Sequence, residues 1–291
     1  MHQSKKSFMF VFLTILIWST ASSTAKLLLF RLNNIQVLFF STLFATLTVL
    51  MIIVATKRVS LLFSYKLKDY VHFFYMSFLG VFLYYLFSFW GLSLIPTQIA
   101  SSLNYLWPIF TILLASVFLR EKLTYHNIIA VLISFIGVII VIYQGSLANF
   151  SNLNSLGVLL QILSAVCYAL FSVLSKRTKY DDFTSLFYYL LIAFLCTCFL
   201  IPFGYSVTLP VGLEYLGLIW FGSFVTGLAY YFWINALRLG NTKKIANMVY
   251  LVPFLSLLMI NWLVGETILA STYIGLPLII FGVVAQNYSR S

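Results

Sequence analysis

The sequence predicts an all-α membrane protein: ten transmembrane helices arranged as two inverted five-helix repeats. Three observations carry that expectation. The 291 residues are 62% hydrophobic and only 8% charged, with a mean hydropathy of +1.03, a composition that no water-soluble domain can hide from solvent. The apolar residues fall in runs of about 20, long enough to cross a bilayer at about 1.5 Å per residue. Two runs half a chain apart also break in the same way: "NYLWPIFTILLASVFLREKLT" from Asn104 and "VYLVPFLSLLMINWLVGETIL" from Val249. Tyr105, Pro108 and Glu121 recur as Tyr250, Pro253 and Glu266, each pair 145 residues apart.

Hydropathy places the ten spans at residues 8–30, 35–55, 71–94, 98–119, 126–143, 156–175, 184–203, 214–237, 245–264 and 270–288. Short connections leave no room for a soluble domain. Basic residues set the orientation. With the N-terminus inside, the cytoplasmic segments hold Lys5, Lys6, Lys57, Arg58, Lys66, Lys68, Arg120, Lys122, Lys176, Arg177, Lys179, Arg238, Lys243, Lys244 and Arg290. The external loops hold only Arg31. The expectation is a multi-pass protein of the bacterial inner (plasma) membrane with both termini cytoplasmic. This asymmetry accounts for the net charge of +11 without a nucleic-acid partner. Cys167, Cys196 and Cys198 all lie inside apolar runs and read as small apolar fillers. Neither a metal nor a cofactor is expected.

Helix one needs its own justification. Lys5-Lys6, an apolar run and "STASSTAK" have the layout of a signal peptide. Yet "WSTASSTAK" (18–26) has a counterpart in "YALFSVLSK" (168–176), an aromatic residue with lysine eight positions on. A segment with a mate in the second half belongs to the fold. Further pairs are "YYLFSFWGLSLIP" with "YYFWINALRLGN", and "IGVIIVIY" with "FGVVAQNY". The repeats are residues 1–145 and 146–291. Five helices is an odd number, so the halves enter the membrane from opposite sides, as in many secondary transporters.

A polar side chain in hydrocarbon needs a partner or a wet cavity. Ser19, Ser22, Ser23 and Lys26 share one face of helix one. Helix four carries a stripe through Ser101, Asn104, Tyr105 and Pro108, and helix six one through Gln161, Ser164, Tyr168 and Ser172. Serine alone reads as close helix packing. Serine beside Tyr, Trp and Asn on paired helices favours a cavity between the halves. The candidate substrate-binding residues are Trp18, Ser22, Lys26, Tyr85, Asn104, Tyr105, Ser164, Tyr168, Trp233, Asn247 and Tyr250. Lys26 either snorkels to the headgroups or faces the cavity and attracts a carboxylate. Pro108 and Pro253 lie mid-span and free a carbonyl each, as a static kink or as a site and gate. Glu121 and Glu266 each precede a helix and are expected to cap its free N–H groups.

The repeats "WPIFTILLASVFLREKLT" and "VPFLSLLMINWLVGETI", preceded by "GLAYYFWINALRLG", resemble the EamA modules of the drug/metabolite transporter superfamily over nearly the whole chain. The resemblance implies a central cavity lined by helices one, three, four, six, eight and nine. It also implies transport of small organic metabolites, often export of amino acids. An intramembrane enzyme would need buried aspartates, a Ser–His pair or H-E-x-x-H, and no such set assembles. A scaffold would leave the paired breaks and polar stripes unexplained. The expected partners are a small-molecule substrate and the lipid bilayer. Two cargoes suit the aromatic residues: an amino acid or related zwitterion, or a quaternary ammonium caged by cation–π contact.

Overall fold

A computed structural model describes residues 2–120, 125–143, 152–175, 178–203, 207–240 and 248–288. Among these the chain forms ten principal helices and no strand. They are α1 (Lys5–Leu29), α2 (Asn34–Ala55), α3 (Leu67–Leu94), α4 (Thr97–Phe118), α5 (Tyr125–Tyr143), α6 (Ser155–Ser175), α7 (Asp182–Phe203), α8 (Leu213–Leu239), α9 (Val249–Val264) and α10 (Ala270–Tyr288). Seven of them, α1 to α4 and α6 to α8, are long and apolar enough to cross a membrane; the apolar stretches of the other three are shorter.

The main pairings follow a simple scheme. Helix α1 packs on α8 and α9, while α6 packs on α3 and α4. Helix α2 packs on α7 and α8, α7 on α3, and α5 on α10. Exchanging the first five helices for the last five returns the same set. Where α5 crosses α10, the Ser134 hydroxyl donates to the Ile279 carbonyl at 3.2 Å, and these two residues are themselves 145 apart.

That crossing is close because glycine permits it. A Cβ on Gly137 would lie 2.6 Å from the Gly275 carbonyl oxygen, and one on Gly275 would lie 2.5 Å from that of Gly137. Helix starts are specified locally. Asn33 and Gln36 form a reciprocal capping box at α2, and Asp181 caps α7 through the N–H groups of Phe183 and Thr184.

Both proline-bearing spans are interrupted. Helix α4 stops at Asn104, turns through Tyr105 and Leu106 and restarts at Trp107, with Pro108 in the new first turn. Helix α9 runs as a tight 3-10 turn over Val249–Leu251 and restarts at Val252, with Pro253 in its first turn. Proline suits that place because a first-turn N–H has no intrahelical partner. Two wider π-type turns, Phe78–Leu83 in α3 and Trp220–Leu228 in α8, also occupy corresponding positions.

Gly137→Ala tests the α5–α10 crossing. The added methyl meets backbone, which cannot rotate aside, so the detergent-purified protein should lose about 1–3 kcal/mol of stability. A lowered unfolding temperature is the expected reading; an unchanged one would show that the helices separate freely.

Candidate functional site

A cavity of about 190 Å³ lies where six helices converge, below the roughly 300–1,000 Å³ of drug-sized pockets. Helices α1, α3, α4, α6, α8 and α9 contribute its walls, the six that the EamA resemblance implies. Of the candidates, Trp18, Ser22, Tyr85, Asn104, Tyr105 and Tyr168 line it. The other described candidates stand elsewhere. Ser164 is fully buried and its hydroxyl has no partner. Trp233 sits behind Trp18, with ring centroids 5.8 Å apart. Tyr250 packs among the hydrophobic clusters outside the lining. Asn247 and Glu121 lie outside the described residues.

The lining includes residues that sequence reasoning did not single out, chiefly Tyr84, Ser88, Phe89 and Phe221. Tyr84 and Tyr85 follow the π-type turn of α3, and Tyr230 follows that of α8. The extra residue in each wide turn rotates the following side chains by about 100°. No sequence period betrays such an insertion.

Aromatic rings form most of the wall. Tyr168 meets Tyr84 and Trp107 at 5.1 Å each, the latter edge-on. Trp18 meets Tyr230 edge-on at 5.4 Å. Several of the polar side chains pair with one another. The Tyr85 and Thr226 hydroxyls are 3.2 Å apart. Ser22 donates to Ser101 at 3.3 Å, and the Ser101 and Ser256 hydroxyls are 3.5 Å apart. No Asp, Glu, Lys or Arg stands among the described lining residues.

Lys26 lies in a separate cleft with Gln98 and Glu266. Its ammonium donates to the carbonyls of Leu92 (2.7 Å) and Ile95 (3.0 Å), so it closes the C-terminus of α3 and does not line the cavity. Glu266 caps a helix, but not the one that follows it. Its carboxylate accepts from the Thr97 N–H (2.8 Å), the Thr97 hydroxyl (2.6 Å) and the Gln98 N–H (3.2 Å), all at the start of α4. Gly265, at φ 77°, ends α9 and turns the chain towards α4. The start of α10 is capped in return by Gln98, whose side-chain oxygen accepts from the Leu269 N–H and the Thr272 hydroxyl.

The sequence matches the EamA-like transporter family over residues 5–143 and again over 155–288. The chain belongs to that family. An uncharacterized transporter of Archaeoglobus fulgidus is 26% identical over 96% of this chain and 97% of its own. The transporter YyaM of Bacillus subtilis, also uncharacterized, is 28% identical over 76% of this chain and 74% of its own. The aromatic amino acid exporter YddG of Ancylobacter novellus is 28% identical over 62% of this chain and 63% of its own. A solved crystal structure shares the fold, with a TM-score of 0.69 and 21% identity over 98% of both chains. EamA-like membership makes the chain a multi-pass membrane transporter.

Removing the Glu266 carboxylate strips three donors of their acceptor. Glu266→Ala should cost about 1.5–3 kcal/mol, the worth of hydrogen bonds to a charged group, and Glu266→Gln less. Thermal unfolding of both variants checks the ordering; equal midpoints for wild type and Glu266→Ala would remove the cap from the account.

Proposed function

We propose that the chain is a secondary transporter that moves a small amino acid or related zwitterion across the cytoplasmic membrane by alternating access, in the direction of export. The observation that carries this reading is the central cavity, walled by aromatic rings and tyrosine hydroxyls and free of charged side chains among its described lining. An aromatic or apolar side chain finds rings to pack on. A zwitterion brings its own balance of charge. The aromatic amino acid exporter among the relatives supports the same cargo class. A quaternary ammonium would meet the rings but no carboxylate, so it ranks second.

The architecture proposed is ten membrane-spanning helices in two inverted halves, residues 1–145 and 146–291, with both termini cytoplasmic. The two family matches and the symmetric helix pairings support it. Alternating access then moves the halves about the shared cavity, with the breaks at Pro108 and Pro253 as the bending points.

Two measurements test the proposal. Reconstituted in liposomes, the protein should give saturable flux of phenylalanine, tryptophan or leucine. Tyr168→Ala should cut that flux at least roughly tenfold, as loss of about 1.4 kcal/mol of ring contact would, with insertion intact. Unchanged kinetics would count against the cavity as the substrate site. For topology, Lys57→Cys and Lys179→Cys in a Cys-free background should resist an impermeant thiol reagent in intact cells. Labelling of both would invert the arrangement.

A further inference from the structure

The break in α4 opens onto the cavity. There the Leu106 N–H donates to Leu103 (3.1 Å) and the Ile109 N–H to Leu106 (3.0 Å), each three residues back. The carbonyls of Ser102 and Tyr105 thereby lose the donors that lie four residues on in a regular helix. The Asn104 carbonyl loses its donor because Pro108 has no N–H. Carbonyls released in this way inside a membrane protein favour a ligand that brings N–H groups.

On the same turn the Asn104 carboxamide lines the cavity. The Tyr84 hydroxyl donates to its Oδ1 across a long 3.5 Å. With the oxygen held there, the carboxamide presents its Nδ2 group, which carries two donors. Neighbouring N–H donors are directed at the wall: Trp18 Nε1 to the Val225 carbonyl at 3.2 Å, and Gln161 Nε2 to the Ser88 carbonyl at 2.8 Å. A two-donor amide and carbonyls without helical donors thus belong to one turn of α4, at a cavity whose described lining holds no charged group.

We infer that the α4 break is the headgroup subsite for an α-amino acid. Asn104 Nδ2 donates to the substrate carboxylate. The released carbonyls of Asn104 and Tyr105, both residues of the lining, accept from its ammonium. Tyr84 is a positioning residue that keeps the carboxamide turned in this sense. The inference rests on the amino-acid reading above and adds the residues that select a zwitterion over the corresponding amine. The substrate side chain then lies among the rings of Trp107 and Tyr168. A lone amine at this point would leave Asn104 Nδ2 facing no acceptor, and an unmatched buried donor disfavours the wrong ligand.

The test uses the purified full chain and ligand-induced thermal stabilisation. The probes are phenylalanine, tryptophan and leucine, each paired with its decarboxylated amine: phenethylamine, tryptamine and isoamylamine. Wild type should prefer the amino acid in each pair that binds. Asn104→Asp, nearly isosteric, sets a negative charge against the carboxylate. It should weaken amino-acid binding roughly ten- to hundredfold, the value of one hydrogen bond to a charged group, and reverse the preference towards the amine. Asn104→Ala should abolish the preference without reversing it, and it serves if the aspartate variant does not fold. Tyr84→Phe should narrow the preference while the unliganded unfolding temperature stays near wild type, a result that a merely structural role would not produce. If wild type binds no amino acid of the panel, the amino-acid reading falls and the inference with it. If wild type binds one and both Asn104 variants keep its preference, the inference alone is overturned.

Discussion

The carboxylate of Glu266 at the start of α4 is the interaction on which the rest of the site depends. Pro96 occupies the cap position of that helix and offers no side-chain acceptor. The first free N–H groups of α4 would otherwise be left at the edge of the apolar layer. Glu266 reaches them from 169 residues away, and Gln98 returns the favour to α10. Each helix start is completed by the other half of the chain. The exchange holds α4 at a definite depth. Asn104 lies seven residues in, or about 10 Å along the axis, and this sets the break beside the tyrosines instead of at the surface.

The cavity wall is mainly aromatic, with polar groups but no charge among its described residues, and the helical register makes it so. The π-type turns of α3 and α8 bring Tyr84, Tyr85 and Tyr230 to the same space as Trp18 and Tyr168. The Tyr85 hydroxyl pairs with Thr226 and that of Tyr84 with Asn104, and these groups are neutral, so the wall carries polar atoms without a buried charge. Such a wall suits a net-neutral guest. It also explains the separate placing of Lys26: an ammonium holding two terminal carbonyls of α3 contributes to the frame, where its charge is matched by a helix C-terminus.

The opposite end of the bundle is joined by charge. Arg58 pairs with Asp181, and Arg238 pairs with Asp182 at 2.6 Å. Both guanidinium groups also lie near the Phe183 ring, at 5.0 and 5.4 Å. These partly exposed pairs contribute modestly to stability. Their reach is more telling, since Arg58 and Asp181 come from different halves. The two ends therefore differ in kind: reciprocal caps at one, solvated ion pairs at the other. In the proposed cycle the halves part at each end in turn. Contacts of different chemistry would respond differently to substrate and to salt.

Composition, run length and the recurrence of Tyr, Pro and Glu at a fixed spacing were enough to determine a helical membrane protein with an internal repeat. They also marked Trp18, Ser22, Tyr85, Asn104, Tyr105 and Tyr168, because polar side chains recurring along one face of a greasy helix need a partner or a wet cavity. The prolines announced their breaks, since a missing N–H is a local fact. What remained hidden depended on distant parts of the chain. Glu266 caps α4 and not α10, because an αL glycine and the packing of the halves bring a loop to a helix start far away in sequence. Lys26 looked equally suited to lipid and to cavity until the end of α3 came beside it. Tyr84 became a wall residue only through a one-residue widening of its helix, and hydropathy carries no trace of that. Local chemistry is written in the order of residues; partners supplied by another helix are settled only when the helices pack.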